Sequence, residues 1–263
     1  MDNYLTELKV LLYNAVLKSI EGENRIGIMF SGGLDSSLIA FLTKDCAVNA
    51  KITLYTVGTF GSHDLSYAEL ASKILGMNLK KIEIFPEDIM AAIPKLVNII
   101  RTTHPVKISF ELPLYLCLER VDERVMLSGQ GADELFGGYA RYLTMDEEKL
   151  RVALRRDFES LISQDINMDY RIADYFNKTL RMPYLDEDVI KVATQIPIEY
   201  KVNKGRRKII LSKVALELKL PNELINKDKK AAQYSSGIIR ELRRLAKKKK
   251  MSVHEIIEHL LKR

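Results

Sequence analysis

Ile26-Gly27-Ile28-Met29-Phe30-Ser31-Gly32-Gly33-Leu34-Asp35-Ser36-Ser37 is the stretch whose reading decides the fold. Its apolar start predicts a buried strand of about five residues. A Ser-Gly-Gly turn follows, then a carboxylate, two hydroxyls and the helical run Leu38–Leu42. Adjacent glycines let a backbone turn with its N–H groups pointing inward and no Cβ in the way. The next helix adds unpaired N-terminal donors and the positive end of its dipole, so polyphosphate is the natural ligand. Asp35 would repel that phosphate unless a divalent cation lay between them, and Mg²⁺ with a nucleoside triphosphate meets that need. The bland alternative is an ordinary strand–turn–helix with a capping Asp or Ser.

The whole Ser31-Gly32-Gly33-Leu34-Asp35-Ser36-Ser37 string resembles the PP-loop of the N-type ATP pyrophosphatases, which cleave ATP between its α and β phosphates. No Gly-Lys-Ser/Thr follows at the spacing a Walker A loop requires.

Working outward, residues 3–20 carry Leu5, Leu8, Leu12, Ala15 and Val16 at helical spacing, so an amphipathic helix precedes the first strand. Lys51–Val57 reads as a second strand ending at Gly58. Ser62-His63-Asp64-Leu65-Ser66 opens a helix, with Ser66 and Glu69 at capping-box spacing and Gly76 as its stop. Leu79–Phe85 is a third strand, and Pro86-Glu87-Asp88 starts another helix. Residues 107–120 read as helix with Pro113 as a break, and Arg124–Leu127 as a short fourth strand. Beyond about residue 140 the pattern is helical, with loops at Arg181-Met182-Pro183 and around 219–236. Ser252 and Glu255 form a capping box for a last helix striped with Val253, Ile256, Ile257, Leu260 and Leu261.

Strands alternating with helices predict an α/β protein with a doubly wound, mainly parallel sheet and a helical C-terminal part. The chain reads as one domain over 1–263, with an α/β core over about 1–145 and a mainly helical portion over about 146–263. Ligands in such sheets sit beyond the carboxyl ends of the strands. Three candidate segments fall there: Ser31–Ser37, Val57–Asp64 and Ser128–Glu134.

Composition narrows the classes. An apolar fraction of 47% supplies a core, and no apolar run approaches the roughly 18 residues of a membrane span. The start Met1-Asp2-Asn3 lacks the pattern of a signal peptide. Cys46 and Cys117 stand far apart with no Cys-x-x-Cys, which reads as reduced thiols in a cytoplasmic protein and argues against a zinc site or sulfur relay. The net charge of +6 is carried by residues 240–263, with nine basic and three acidic side chains, so the body is neutral. Such a tail reads first as a solvated helix face, and nucleic acid is not the expected partner.

Leu127-Ser128-Gly129-Gln130-Gly131-Ala132-Asp133-Glu134-Leu135-Phe136-Gly137-Gly138-Tyr139 is the second informative stretch. Its Ser-Gly-x-Gly makes another tight loop after a strand, and Asp133-Glu134 supplies carboxylates at a helix start. Asp35 and Asp133 facing one ATP would hold Mg²⁺ against pyrophosphate from two sides, stabilising charge on the leaving group.

With this stretch the chain resembles the synthetase domain of asparagine synthetases and the related β-lactam synthetases. The similarity runs through Ser31–Ser37, Val57–Gly76, Ser128–Tyr139, Arg181–Asp186 and the lysines near 229; the segment Asp169–Asp186 and the Lys-Lys-Ala-Ala-Gln-Tyr loop look closest to the asparagine synthetase domain-containing proteins. The resemblance implies an adenine nucleotide alpha hydrolase-like fold. It implies that ATP adenylates a substrate carboxylate, aspartate by default, releasing pyrophosphate, and that ammonia or another amine then displaces AMP. It further implies an ATP site at Ser31, Gly32, Gly33, Asp35, Ser36, Ser37 and Ser128, with main chain near Met29, Val57 and Gly129 holding the AMP part. Mg²⁺ would sit at Asp35, Asp133 and Glu134. Arg181-Met182-Pro183-Tyr184-Leu185-Asp186 looks like the family's Arg-x-Pro-Phe-Leu-Asp, whose Asp lies near the acceptor. Either Lys229 or Lys230 would contact the α-phosphate.

Two departures qualify the resemblance. Asp2 stands where full asparagine synthetases carry the glutaminase Cys, and the first loop comes by residue 31, so nitrogen is expected from free ammonia, another amine or a separate glutaminase subunit. Gln130 stands where asparagine synthetases carry Glu and β-lactam synthetases Tyr; an amide orients an acyl-adenylate but is a very poor base. Asp186 or Glu134 is then the expected proton acceptor. A PP-loop enzyme acting on tRNA bases and a non-catalytic nucleotide-binding subunit are the competing readings, and a homo-oligomer is compatible with all three.

Overall fold

A computed structural model describes residues 1–225 and 236–262. Five strands form one parallel sheet: β1 (Arg25–Met29), β2 (Lys51–Thr59), β3 (Leu79–Ile84), β4 (Val125–Leu127) and β5 (Thr179–Arg181). Their order is β3-β2-β1-β4-β5. Ile28 of β1 sits opposite Leu54 of β2 on one side and Leu127 of β4 on the other. The central strands read as apolar runs because both sheet faces are covered.

Side-chain alternation along the strands divides the interior. Ile26, Ile28, Leu54, Val125 and Leu127 point into one core, with helices α1 (Asp2–Ile20), α2 (Leu34–Cys46) and α3 (His63–Leu75). Tyr55, Ile82, Ile84, Met126 and Leu180 point into the other, with α4 (Pro86–Ile100), α5 (Pro105–Leu118) and the helices Ile238–Lys248 and Val253–Leu261. Gly27 belongs to the second face, and a Cβ there would overlap the Met126 thioether. The sheet is therefore doubly wound, as expected.

Several local expectations change in the tertiary setting. The second strand runs on through Gly58 to Thr59, because Val57, Gly58 and Thr59 pair with Ile82, Glu83 and Ile84 of β3. Ser66 and Glu69 make no capping box: Ser62 is the N-cap of α3, Ser66 Oγ donates to the Ser62 carbonyl, and Glu69 pairs with Lys73 and Lys81. Pro113 does not break α5, since Leu112, Leu114, Tyr115 and Leu116 are buried around it and packing holds the helix across one lost backbone bond. β5 lies where only a loop was expected. Three residues show too little alternation to be read, and pairing of Met126 with Leu180 is what makes them a strand. The Ser252–Glu255 box is present, with Ile256 and Ile257 buried, while Leu261 is exposed. Cys117 is buried and Cys46 half-buried, both free thiols. Among the described residues no helix is long and apolar enough to cross a membrane.

Candidate active site

Chain order reverses between β1 and β4, which opens a crevice beyond their carboxyl ends. The loop after β1 and the loop after β4 therefore become neighbours. A Cβ on Gly129 would stand 3.3 Å from Asp35 Cβ and from the Ser36 nitrogen, so the second loop rests directly on the first.

The first loop is built by its own hydroxyls. Ser36 Oγ accepts from the Ser31 nitrogen at 3.3 Å and donates to the Gly33 carbonyl at 3.2 Å. Ser37 Oγ donates to the Gly32 carbonyl at 2.9 Å and is fully buried. Gly32 adopts φ +75°, and a Cβ there would come within 3.0 Å of Ala71 Cβ on α3, so only glycine lets the turn close against that helix. Asp35 falls in the first turn of α2, where the helix dipole favours a carboxylate.

Asp35 is almost wholly buried and does not face Asp133 across empty space. Lys208 Nζ donates to Asp35 Oδ1 at 2.6 Å and pairs with Asp133 Oδ1 as well. Lys208 is itself buried and holds a left-handed backbone, φ +53°, at the N-cap of α10 (Ile209–Glu217). A carboxylate–ammonium–carboxylate bridge thus joins the two loops. Tyr184 OH adds a bond to the Asp35 carbonyl at 3.1 Å. Sequence reading missed Lys208, which lies 173 residues from Asp35 in an ordinary-looking basic run.

Asp35 and Asp133 are hard oxygen donors of the type Mg²⁺ takes together with phosphate oxygens and water. Among the described residues no cluster of three or more His, Cys, Asp or Glu could hold a metal by itself. The donor set fits a cation that arrives with phosphate, as Mg²⁺ usually does; Asp35 and Asp133 are the residues that would hold it. Gly138 supports this bridge, since a Cβ there would overlap Asp133 Oδ1 and Lys208 Cε. Gly138→Ala is expected to cost about 1–3 kcal/mol by overpacking, measured by urea unfolding. Unchanged stability and nucleotide affinity would show that the bridge has slack.

Glu134 is buried beside these groups and accepts from Tyr139 OH. Burial raises its carboxyl to about 7, against the opposing pull of the tyrosine bond. A carboxyl raised on folding stabilises the fold below its unfolded value of 4.5, and that contribution is lost as pH rises to about 7. Glu134→Gln should therefore gain stability relative to wild type between those limits, on the order of 3 kcal/mol in total. Urea unfolding at pH 5 and pH 8 checks this; parallel pH profiles would refute it.

The crevice continues as a cavity of about 390 Å³ whose walls include Met29, Ser31, Val57, Ser128 and Gln130. Ser37, Gly32 and Gly33 shape the loop and do not line that cavity. At its far wall Gln130 Nε2 donates to Asp169 Oδ2 at 2.7 Å. Asp169, on α8 (Ile166–Tyr175), shares a hydrogen bond with Glu111 of α5, and both are buried. An ion pair between Lys107 and Asp165 borders them. Sequence reading did not single out Asp169 or Glu111, because each looks like one more polar position on an amphipathic helix.

Asp186 is not brought to this cavity. It is the N-cap of α9 (Glu187–Gln195), accepting from the Asp188 nitrogen at 3.1 Å, and it pairs with Lys18 of α1 at 3.1 Å. Arg181 likewise turns to the Ser19 carbonyl and Glu23. The neighbouring Tyr184 and Leu185 instead pack behind the two loops: Tyr184 OH donates to the Asp35 carbonyl, and a Cβ on Gly131 would overlap Leu185. Lys229 and Lys230 lie outside the described residues.

A doubly wound sheet whose switch point carries a Ser-Gly-Gly loop and facing carboxylates defines an α/β protein of the PP-loop class. The family model for asparagine synthase matches residues 7–146 and 142–261. The chain belongs to the asparagine synthase family. One relative, described as "Putative asparagine synthetase (glutamine-hydrolyzing) 1" of Methanocaldococcus jannaschii, is 36% identical over 95% of this chain and 52% of its own length. Asparagine synthetase (glutamine-hydrolyzing) 1 of Lotus japonicus is 28% identical over 85% of this chain and 41% of its own. The chain thus spans about half the length of the curated relatives it matches. Among solved structures, an NMN synthetase from Francisella tularensis covers 98% of this chain and 85% of its own at 15% identity, with a TM-score of 0.47.

Proposed function

We propose that the protein is an ATP-dependent, AMP-forming carbon–nitrogen ligase that adenylates a carboxylate and passes the acyl group to ammonia or another amine. One observation carries this reading: Asp35, Lys208 and Asp133 form a buried charged bridge where the Ser-Gly-Gly loop and the Ser-Gly-Gln-Gly loop meet. A preorganised cation at that point suits departing pyrophosphate, because it needs little reorganisation as charge develops, and the two carboxylates suit a divalent cation that comes with the phosphates. Lys208 supplies a fixed cation for phosphate oxygens. Asp35 and Asp133 would hold Mg²⁺, which when bound supplies further positive charge against the pyrophosphate. Ser31 and Ser36 orient the loop's main chain toward the α-phosphate, and Met29, Val57 and Gly129 border the nucleotide. Either Lys229 or Lys230 is assigned to the α-phosphate on the family pattern.

Gln130 holds the acyl end in place by hydrogen bonding. The wall beyond it combines the buried carboxyls of Asp169 and Glu111 and the Lys107–Asp165 pair with apolar side chains such as Leu161 and Leu180; aspartate, whose ammonium group such carboxyls would meet, is the first acid to test. The test is pyrophosphate release from Mg²⁺-ATP across a panel of carboxylates, with and without ammonium. Carboxylate-dependent release, followed by an amide when ammonium is added, is the expected result. Absence of release with every acid would overturn the reading.

A further inference from the structure

Resting on the ligase reading, the geometry points to Asp169, backed by Glu111, as the group that takes the proton from the attacking amine. Gln130 lines the cavity, and its amide cannot accept a proton at neutral pH. The amide does not end in solvent, however. Its nitrogen donates to Asp169 Oδ2 at 2.7 Å, so a carboxylate stands one hydrogen bond behind it. Asp169 and Glu111 both line the cavity and are 3% and 4% exposed.

The other carboxylates near the crevice suit the role less well. Glu134 is engaged by Tyr139 and adjoins Asp133 at the pyrophosphate side. Asp186 faces Lys18 on α1. Asp165 is paired with Lys107. Asp169 is the one that receives Gln130, and Gly129, the residue before Gln130, rests on Asp35 and Ser36. The path from phosphate loop to Asp169 is therefore a single residue long.

Electrostatics agree with this placement. Burial raises both acids, Glu111 well above the usual carboxylate range, with Asp169 and Asp165 adding to it and Lys107 opposing. The bonds from Glu111 and Gln130 pull Asp169 back down, so Glu111 keeps the shared proton and Asp169 is the ionised member. Tyr170 is the remaining titratable neighbour that senses Asp169. In the transfer, the amine nitrogen bonds to the acyl carbon, and the bond from that carbon to the AMP oxygen breaks with its electron pair leaving on AMP. One proton passes from nitrogen to an Asp169 oxygen.

The test compares ATP–pyrophosphate exchange with ammonium-dependent amide formation in wild type and Asp169→Asn, using the carboxylate that gives most exchange in wild type. General-base loss predicts that amide formation falls roughly 100-fold more than exchange. The deficit should shrink with hydroxylamine, whose nitrogen is far less basic than that of ammonia, so that its adduct gives up the proton to water more readily. In Asp169→Asn, a second change Gln130→Glu should recover at least about tenfold of the lost amide formation, within the span a positioned base supplies. Exchange in the variant reports folding; if Asp169→Asn loses it, Asp169→Ser takes its place. Equal losses in both half-reactions, or no recovery with Gln130→Glu, would overturn the assignment. Wild type without exchange would overturn the ligase reading itself, and this assignment with it.

Discussion

Asp35→Asn is expected to lower carboxylate-dependent pyrophosphate release by roughly 10²–10³-fold, the size seen when one preorganised charge-stabilising group is removed. The substitution keeps the side chain's size. It also keeps the main-chain carbonyl that accepts from Tyr184 OH, so the α2 start stays tied to the turn at Pro183–Leu185. What it removes is one of two charges holding Lys208 and one of two oxygen donors for a cation that comes with phosphate. The loss should appear with every carboxylate in the panel, because it acts on the leaving group and not on the acid. An effect confined to one acid would place Asp35 at the acyl end and overturn this account.

Lys208→Met is expected to destabilise the fold by about 3–5 kcal/mol, the cost of leaving buried charge without its partner. Lys208 Nζ is the shared partner of the nearly inaccessible Asp35 and of Asp133. Removing it takes the cation from between two carboxylates, one nearly inaccessible (Asp35) and one partly exposed (Asp133). They then become a better cation site than in wild type, so millimolar Mg²⁺ should recover part of the lost stability in the variant and little in wild type. Urea unfolding with and without Mg²⁺ measures both effects. A variant as stable as wild type would overturn the bridge as a source of stability.

How much was legible beforehand depended on whether the chemistry was local. The first loop could be read because its parts are contiguous: strand, Ser-Gly-Gly turn, carboxylate and hydroxyls all lie within twelve residues, Ile26 to Ser37. The same holds for Ser128–Glu134, whose tight loop and acidic helix start are contiguous. Arg181–Asp186 shows the limit of motif reading. The segment packs against the two loops through Tyr184 and Leu185, while Asp186 turns to Lys18. A six-residue string does not record which side of a 3₁₀ turn a carboxylate leaves from.

The sequence by itself determined the doubly wound sheet, through the alternation of apolar strands and amphipathic helices, and the two loops at its carboxyl edge. Local backbone preferences and hydrophobic period suffice for that. Only the tertiary structure decided which charges meet. Lys208 reaches Asp35 and Asp133 from the start of α10, and Asp169 and Glu111 reach Gln130 from two separate helices. Nothing in the spacing of these residues encodes their proximity. They come together because the two cores hold α5, α8 and α10 around one crevice, and burial there turns ordinary surface residue types into a bridged cation and a carboxyl pair sharing one proton.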